Sequence, residues 1–330
     1  MENNTITLAH GNGGRLMHEL IEKIRVKFSN RILDEMADAA ELDMKTTRLA
    51  FSTDSYVVKP LFFPGGDIGK LAVFGTVNDI AMKGARPLFM SLAFIIEEGL
   101  DFSILEKVAG SVMEASGRAG VKIVTGDIKV VGKGAADKLF INTSGIGVID
   151  YSGGRIGARA KSGDMIIING TIAEHGMAIL NARENLKFLS GIKSDCANVN
   201  FQTERALAVS ANISVMRDPT RGGLATALCE IAHASNLGIE IDENRVPVKP
   251  KVKKMCEILG FDPLYVANEG KFISFVNKKD AKRVQRAIGK DARIIGEVVT
   301  RHRGEVYLKT ALGPSRILPM LESDQLPRIC

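Results

Sequence analysis

The sequence predicts an α+β protein of two packed domains with an extended C-terminal tail. Three observations carry that prediction. At 330 residues the chain exceeds the roughly 100–200 residues of a single domain. Helical and strand periodicities mix throughout without a simple β-α-β-α order. A polar, glycine-bearing stretch from Gly153-Gly154 to Gly163 interrupts the pattern near the middle and reads as a domain junction. The expected division is 1–36 (Gly-rich segment and helix), 37–152 (first domain), 153–310 (second domain) and 311–330 (tail).

Taken in order, His10-Gly-Asn-Gly-Gly14 precedes a helical pattern through Leu16, Leu20, Ile21 and Ile24. Leu49–Thr53 reads as a strand ending at Asp54. Residues 68–83 carry apolar side chains on most faces, which predicts a buried helix stopped by Gly84. Met90–Ile96 reads as a strand and 103–118 as a helix. Val121–Thr125 reads as a short strand running into Gly126-Asp127, and Leu139–Ile149 as a long one. In the second half, strands are expected at Met165–Ile168, Gly238–Ile241, Phe272–Val276, Arg293–Val299 and Glu305–Lys309. Helices are expected at 174–189, from a Thr220 cap to about Ser235, at Lys251–Leu259 and at Ala281–Ile288. The last 20 residues hold Gly313, Pro314, Pro319 and Pro327 without periodicity. They read as a mobile arm that reaches up to about 66 Å when stretched.

Composition narrows the function. No apolar run approaches the ~20 residues of a spanning helix, and the N-terminus lacks the pattern of a signal peptide. A cytoplasmic protein is expected. The formal charge of +6 is spread along a chain with no Trp, so a nucleic-acid footprint is not indicated. Cys196, Cys229, Cys256 and Cys330 stand far apart, which argues against a zinc or disulfide framework. Cys229 and Cys256 fit apolar helix patterns as small core residues.

The candidate chemistry sits on acidic residues and glycines. Asp54, Asp67, Asp79, Asp127 and Asp218 lie at or near element ends, where carboxylates hold Mg²⁺ and nucleotide or merely cap turns. Asp79 suits the bland reading least, because its neighbours are apolar. Gly13 and Gly14 belong to a turn that offers backbone N–H groups to phosphate or simply leads into a helix; no Walker A motif occurs. Lys129 shares a strand face with Asp127 and could neutralise phosphate charge. Glu269 precedes a strand and could act as a base. Both could equally be surface residues. Cys330 is the sharpest candidate, a terminal thiol whose thiolate is nucleophilic and whose arm gives it reach.

Six segments taken together resemble a known family: Leu8-Ala-His-Gly-Asn-Gly-Gly-Arg15, Ser52-Thr-Asp54, Val77-Asn-Asp-Ile-Ala-Met82, Val124-Thr-Gly-Asp-Ile-Lys129, Arg217-Asp-Pro-Thr-Arg-Gly-Gly223 and Pro327-Arg-Ile-Cys330. The family is the HypE carbamoyl dehydratases of [NiFe]-hydrogenase maturation, within the PurM/AIR-synthase-like ATP-binding superfamily. The resemblance implies a homodimer paired through its N-terminal sheets, with ATP near the interface. It implies that the carbamoyltransferase HypF carbamoylates Cys330, and that ATP then drives dehydration of this S-carboxamide to a thiocyanate. The cyanide would pass to iron on the HypC-HypD scaffold. Carried over residue by residue, Cys330, Lys129 and Glu269 are catalytic, with Glu269 as base. Gly13, Gly14, Asp54, Asp67, Asn78, Asp79 and Asp127 bind ATP, and Asp54, Asp67, Asp79, Asp127 and Asp218 serve Mg²⁺. Some members carry a His where this chain has Cys229, so no required His is expected there; His10 and His233 stay unassigned. Two rivals compete. One is another enzyme of the superfamily, a small-molecule kinase or synthetase, which would not need a terminal Cys; a selenophosphate synthetase would need a reactive residue earlier than Cys196. The other is a non-catalytic adaptor docking by its tail.

Overall fold

The computed structural model describes residues 14–15, 18–19, 33–36, 40–43, 48–151, 153, 155–186 and 191–321. His10, Gly13 and Cys330 lie outside the described residues.

The first domain runs β1 (Ala40–Asp43), β2 (Arg48–Tyr56), a short pair β3 (Phe62–Phe63) and β4 (Gly66–Asp67), α1 (Ile68–Met82), β5 (Arg86–Glu97), α2 (Phe102–Ala119), β6 (Lys122–Val131) and β7 (Leu139–Val148). Five of these strands form one sheet in the order β1-β2-β7-β5-β6. Within it only β5 and β6 pair in parallel, and α2 supplies the crossover that such a pair needs. Helix α1 is apolar all round, and Ile68, Leu71, Val73, Phe74, Val77 and Ile80 are buried. A helix of that kind belongs inside a core. It packs on the sheet and also against the second domain. Asp67 caps its start, accepting from Lys70 N–H at 3.0 Å. Gly84 ends it at φ +69°, as expected.

The second domain runs β8 (Asp164–Ile168), α3 (Glu174–Glu184), α4 (Asn200–Val209), β9 (Ile213–Arg217), α5 (Gly223–Ser235), β10 (Gly238–Asp242), α6 (Pro250–Leu259), β11 (Ile273–Asn277), α7 (Ala281–Ile288), β12 (Arg293–Val299), β13 (Val306–Lys309) and β14 (Ser315–Ile317). Its seven strands lie in the order β14-β13-β10-β12-β8-β11-β9. Strand β8 faces helices on both sides. Ile166 and Ile168 join a core with Met177, Leu224 and Met255, while Ile167 joins one with Met216, Val284 and Ile288. Among the described residues no helix is long and apolar enough to cross a membrane.

Several expectations need correction. Asp54 and Asp127 lie inside their strands, since β2 runs on to Tyr56 and β6 to Val131. Helix α4 and strand β9 were not foreseen. Thr220 does not cap α5; Gly222 does, in the left-handed region and without a side-chain bond. The tail does not leave at residue 311. Ser315–Ile317 pairs with β13, and Leu318, 1% exposed, is part of the core.

Candidate active site between the domains

The inner face of β2 and the side of α1 that meets it build the first wall. Ser52 Oγ donates to Asp79 Oδ2 at 2.7 Å, and Tyr56 O–H donates to Asp54 Oδ2 at 3.2 Å. Thr76 Oγ1, on α1, donates to the same Asp54 oxygen at 3.4 Å. Alternation along β2 puts Ser52, Asp54 and Tyr56 on one face, so the strand aims both of its polar residues at the helix that carries Asp79.

The second domain supplies the opposite wall, from the loop 194–196, Asp218 and the segment ending in Glu269. Asp195 holds that segment: Glu269 N–H donates to its Oδ1 at 3.2 Å, Gly270 N–H to its Oδ2 at 3.4 Å, and Lys271 Nζ stands 3.5 Å away. Only glycine fits at 270, because a Cβ there would fall 2.0 Å from the Asp195 carbonyl oxygen. Ser194 bonds to buried His175 Nδ1 at 2.8 Å and accepts from Cys196 N–H at 3.0 Å. The first domain meets this loop directly, as Ser194 N–H donates to the Pro64 carbonyl at 2.7 Å.

The result is a crowded set of acids, with Asp67, Asp218 and Glu269 buried and Asp54 and Asp79 partly so. Burial pushes the Glu269 carboxyl well above the ordinary glutamate range; Asp195, Asp218 and Asp54 add to the rise, and Arg221 opposes it. The Cys196 thiol is raised by burial, then by Glu269, Asp195 and Asp67. Tyr56 is raised by burial, then by Asp54 and Asp79. These mutual influences tie Asp54, Asp67, Asp79, Asp195, Asp218 and Glu269 into one electrostatic neighbourhood across the domain boundary. Such a site disfavours additional negative charge and favours cations and polarised N–H groups.

The expected residues divide accordingly. Asp54, Asp79, Asp218 and Glu269 come together. Asp67 stands beside them, but its Oδ1 is engaged in capping α1 and in accepting from Ser111 Oγ at 2.5 Å. Asn78, 2% exposed, serves as a strut between the domains. Its Nδ2 donates to the carbonyls of Ala197 and Glu269 at 3.0 and 3.3 Å, and its Oδ1 accepts from Val199 N–H at 2.8 Å. Asp127 and Lys129 pair with each other at 2.7 Å on the exposed edge strand β6. The register Ser55–Asn142–Ala93–Asp127 puts Asp127 on the outer face of the sheet, opposite to Asp54. Three strand spacings, about 14 Å, also separate them. Gly14 is buried, and its carbonyl accepts from His18 N–H at 3.2 Å. His233 is exposed on α5, outside this set. Cys229 and Cys256 are buried, with thiols pushed up to about 12 chiefly by burial, as their core reading requires.

Asp195 and Cys196 were missed. They stand in a loop with no periodic or glycine signal, and only the docking of the two domains brings them to the site. Among the described residues no three His, Cys, Asp or Glu side chains are grouped closely enough to hold a metal ion. The donor chemistry still suits Mg²⁺, which takes hard oxygens and usually needs only one or two carboxylates beside substrate phosphates. A separate cavity of about 540 Å³ opens at the β5–β6 edge, lined by Leu92, Phe94, Ile123, Thr125, Gly126, Asp127 and Ile128.

The AIR synthase related protein family matches this chain in both halves, with its N-terminal domain over residues 36–149 and its C-terminal domain over 161–309. The carbamoyl dehydratase HypE of Rhodobacter capsulatus is 45% identical over 338 residues, covering 100% of this chain and 99% of that one. The chain belongs to the HypE family. A crystal structure of a HypE-HypF complex superposes with a TM-score of 0.87 at 47% identity, covering 93% of this chain and 100% of the other. The structure of a HypE in complex with ATP gives a TM-score of 0.83 at 48% identity, covering 99% and 100%. The two-domain fold with its seven-stranded second sheet is thus the HypE fold, and the buried acids lie where its halves meet.

Proposed function

We propose that this HypE-family chain is an ATP-dependent carbamoyl dehydratase of hydrogenase maturation, working on a carboxamide carried by its own Cys330. The observation that carries the reading is the full-length likeness to a carbamoyl dehydratase, over 100% of this chain and 99% of that one. The buried acids between the domains support it.

In the reaction the carboxamide oxygen attacks the γ-phosphorus of ATP and ADP leaves. Both N–H protons are then removed, the C–O bond breaks with departure of phosphate, and the thioester-like carbon becomes a thiocyanate. The chain's residues suit these steps. Glu269 takes a proton from the nitrogen, and the neutral acid so formed is the form that its burial favours. Asp54 and Asp79 would hold Mg²⁺ against the phosphates, where the ion would neutralise charge developing on them; Asp218 faces them from the second domain. Asp195 keeps Glu269 aimed by holding its backbone.

Asp127 and Lys129 do not reach this set within one chain. We therefore read the active form as a homodimer paired through the outer face of the first sheet. That face bears Phe51, Phe89, Ile95 and Ile146, each 38–44% exposed, an apolar surface of the kind that pairing covers. Asp127 and Lys129 of one copy would then serve the ATP of the other. HypF as the carbamoyl donor protein and HypC-HypD as the cyanide acceptor complete the reading, and a site inside the cell follows from these partners.

The test is coupled phosphate release. Protein carbamoylated at Cys330 releases one phosphate per tail from ATP, whereas Cys330→Ala binds ATP equally and releases none above background. Phosphate release that ignores the state of Cys330 would point to a small-molecule kinase or synthetase instead.

A further inference from the structure

The second domain does more with the start of the tail than add β14 to its sheet. Four consecutive residues after that strand are held individually. Leu318 N–H donates to the Val306 carbonyl at 2.8 Å. The Leu318 carbonyl accepts from Cys229 Sγ at 3.2 Å, and the Pro319 carbonyl accepts from Tyr265 O–H at 2.7 Å. Met320 and Leu321 pack against the main core, and the Leu321 carbonyl accepts from Arg15 N–H at 2.8 Å. Just upstream, Arg316 pairs with Asp262 at 3.0 Å.

Two of these partners, Asp262 and Tyr265, bracket the short helical turn Pro263–Tyr265. The same segment continues through Val266, Ala267 and Asn268 to Glu269. It is held rigidly on the way. Asn268, 1% exposed, donates to the carbonyls of Pro219 and Val266 at 2.9 and 3.1 Å and accepts from Ala173 N–H at 2.8 Å. Gly223 lets α5 press on this segment, since a Cβ there would meet the backbone of Leu264, Tyr265 and Val266 at 2.7 Å. Four residues separate Tyr265 from Glu269, at most about 14 Å of chain. Nine residues separate Leu321 from Cys330, up to about 30 Å of chain. The anchored tail therefore has ample length to reach the Glu269 of its own subunit.

We infer that Tyr265 is a positioning residue: its hydroxyl pins the root of the tail to the segment that carries Glu269, so that Cys330 is processed by its own subunit. This rests on the dehydratase reading for its consequence, though not for the anchoring itself. The anchor converts a long tether into a short one and raises the local concentration of Cys330 at the site. Burial raises the Tyr265 hydroxyl to about 12, so it stays a donor across the physiological range.

Tyr265→Phe removes the hydroxyl and keeps the ring. Hydrogen exchange at the Leu318 amide, which donates to the Val306 carbonyl, is expected to speed up roughly fivefold, the worth of one hydrogen bond. Single-turnover dehydration of carbamoylated Cys330 is expected to slow by a similar factor, with ATP affinity unchanged. A free S-carbamoyl peptide of residues 322–330, given to full-length Cys330→Ala protein with and without Tyr265→Phe, is expected to react equally fast. Mixed dimers of Cys330→Ala and Glu269→Gln chains are expected to stay inactive. Unchanged exchange overturns the anchor. Equal slowing of the free peptide, or restored activity in the mixed dimers, overturns the positioning role. Failure of the wild-type protein to dehydrate its tail would instead overturn the dehydratase reading, and the exchange result would still judge the anchor.

Discussion

Glu269 combines two properties that pull against each other. Its burial and its acidic neighbours favour the neutral carboxyl, yet the role of base proposed for it requires the ionised form. Two outcomes follow. The rate of dehydration is expected to rise with pH through the raised Glu269 value and then level off. The folded protein also binds a proton at Glu269 that the unfolded chain releases near the ordinary value of 4.5. Stability is therefore lost as pH climbs from that value through the raised one. Glu269→Gln should abolish dehydration, keep ATP binding, and melt higher than wild type at neutral pH. Melting curves at several pH values check the sign; a lower Tm for the variant at neutral pH would mean that Glu269 is stabilised as a charge. Asp79 should behave differently. Asp79→Ala removes the acceptor of Ser52 and is expected to weaken ATP binding at least tenfold by calorimetry, for the loss of a charged contact worth ~1.5–3 kcal/mol. At this scale the sequence was informative where a carboxylate sat oddly among apolar neighbours, as Asp79 does. It was silent on Asp195, whose role depends wholly on what docks against it, and on the interdomain bonds of Asn78, whose amide meets the second domain.

Among the elements, α1 and α5 were legible because their apolar spacing is dense; Gly84 marks the end of α1, whereas the start of α5 was misplaced at Thr220. Helix α4 was not, because Asn200 and Thr203 are buried beside Ala206 while Phe201 is exposed; polar residues that bury inward hide the usual stripe. Strand β6 was cut short for a related reason. Most of it is exposed on both faces, so no alternation marks where it ends. The start of α5 gives the sharpest element-scale prediction. Gly223 sits at φ +64° against the backbone of the segment that leads to Glu269. Gly223→Ala must strain both, and is expected to destabilise the protein by more than ~1 kcal/mol, read as a lower midpoint in chemical denaturation, and to slow dehydration by shifting Glu269. An unchanged midpoint would mean that the segment gives way easily and does not hold its base rigidly.

For the molecule as a whole, the site is an interdomain product. Asn78 on α1 bridges to Ala197, Val199 and Glu269 across the boundary, so the two domains share one cooperative unit. Asn78→Ala leaves the buried Val199 N–H without its acceptor and is expected to cost ~2–3 kcal/mol, with both domains unfolding in one transition. The outer sheet face carries the other large-scale claim: Phe89→Asp, placed at the apolar end of that face, is expected to yield monomers in sedimentation and to lose ATP-dependent turnover along with the dimer. The two-domain division was readable from composition and periodicity. The packing that makes one site of two halves was not, because it rests on loops whose residues carry no local pattern. The chemistry proposed at Cys330 joins all three scales: a proposed base at one residue, a held segment between elements, and a tail that begins in the second sheet. Mass spectrometry of the tail tests it most directly, after incubation with the carbamoyltransferase, carbamoyl phosphate and ATP. The account predicts a carbamoyl group on Cys330 followed by ATP-dependent loss of the mass of one water. A carbamoylated Cys330 that keeps its water in the presence of ATP, or carbamoylation at another residue, would contradict it.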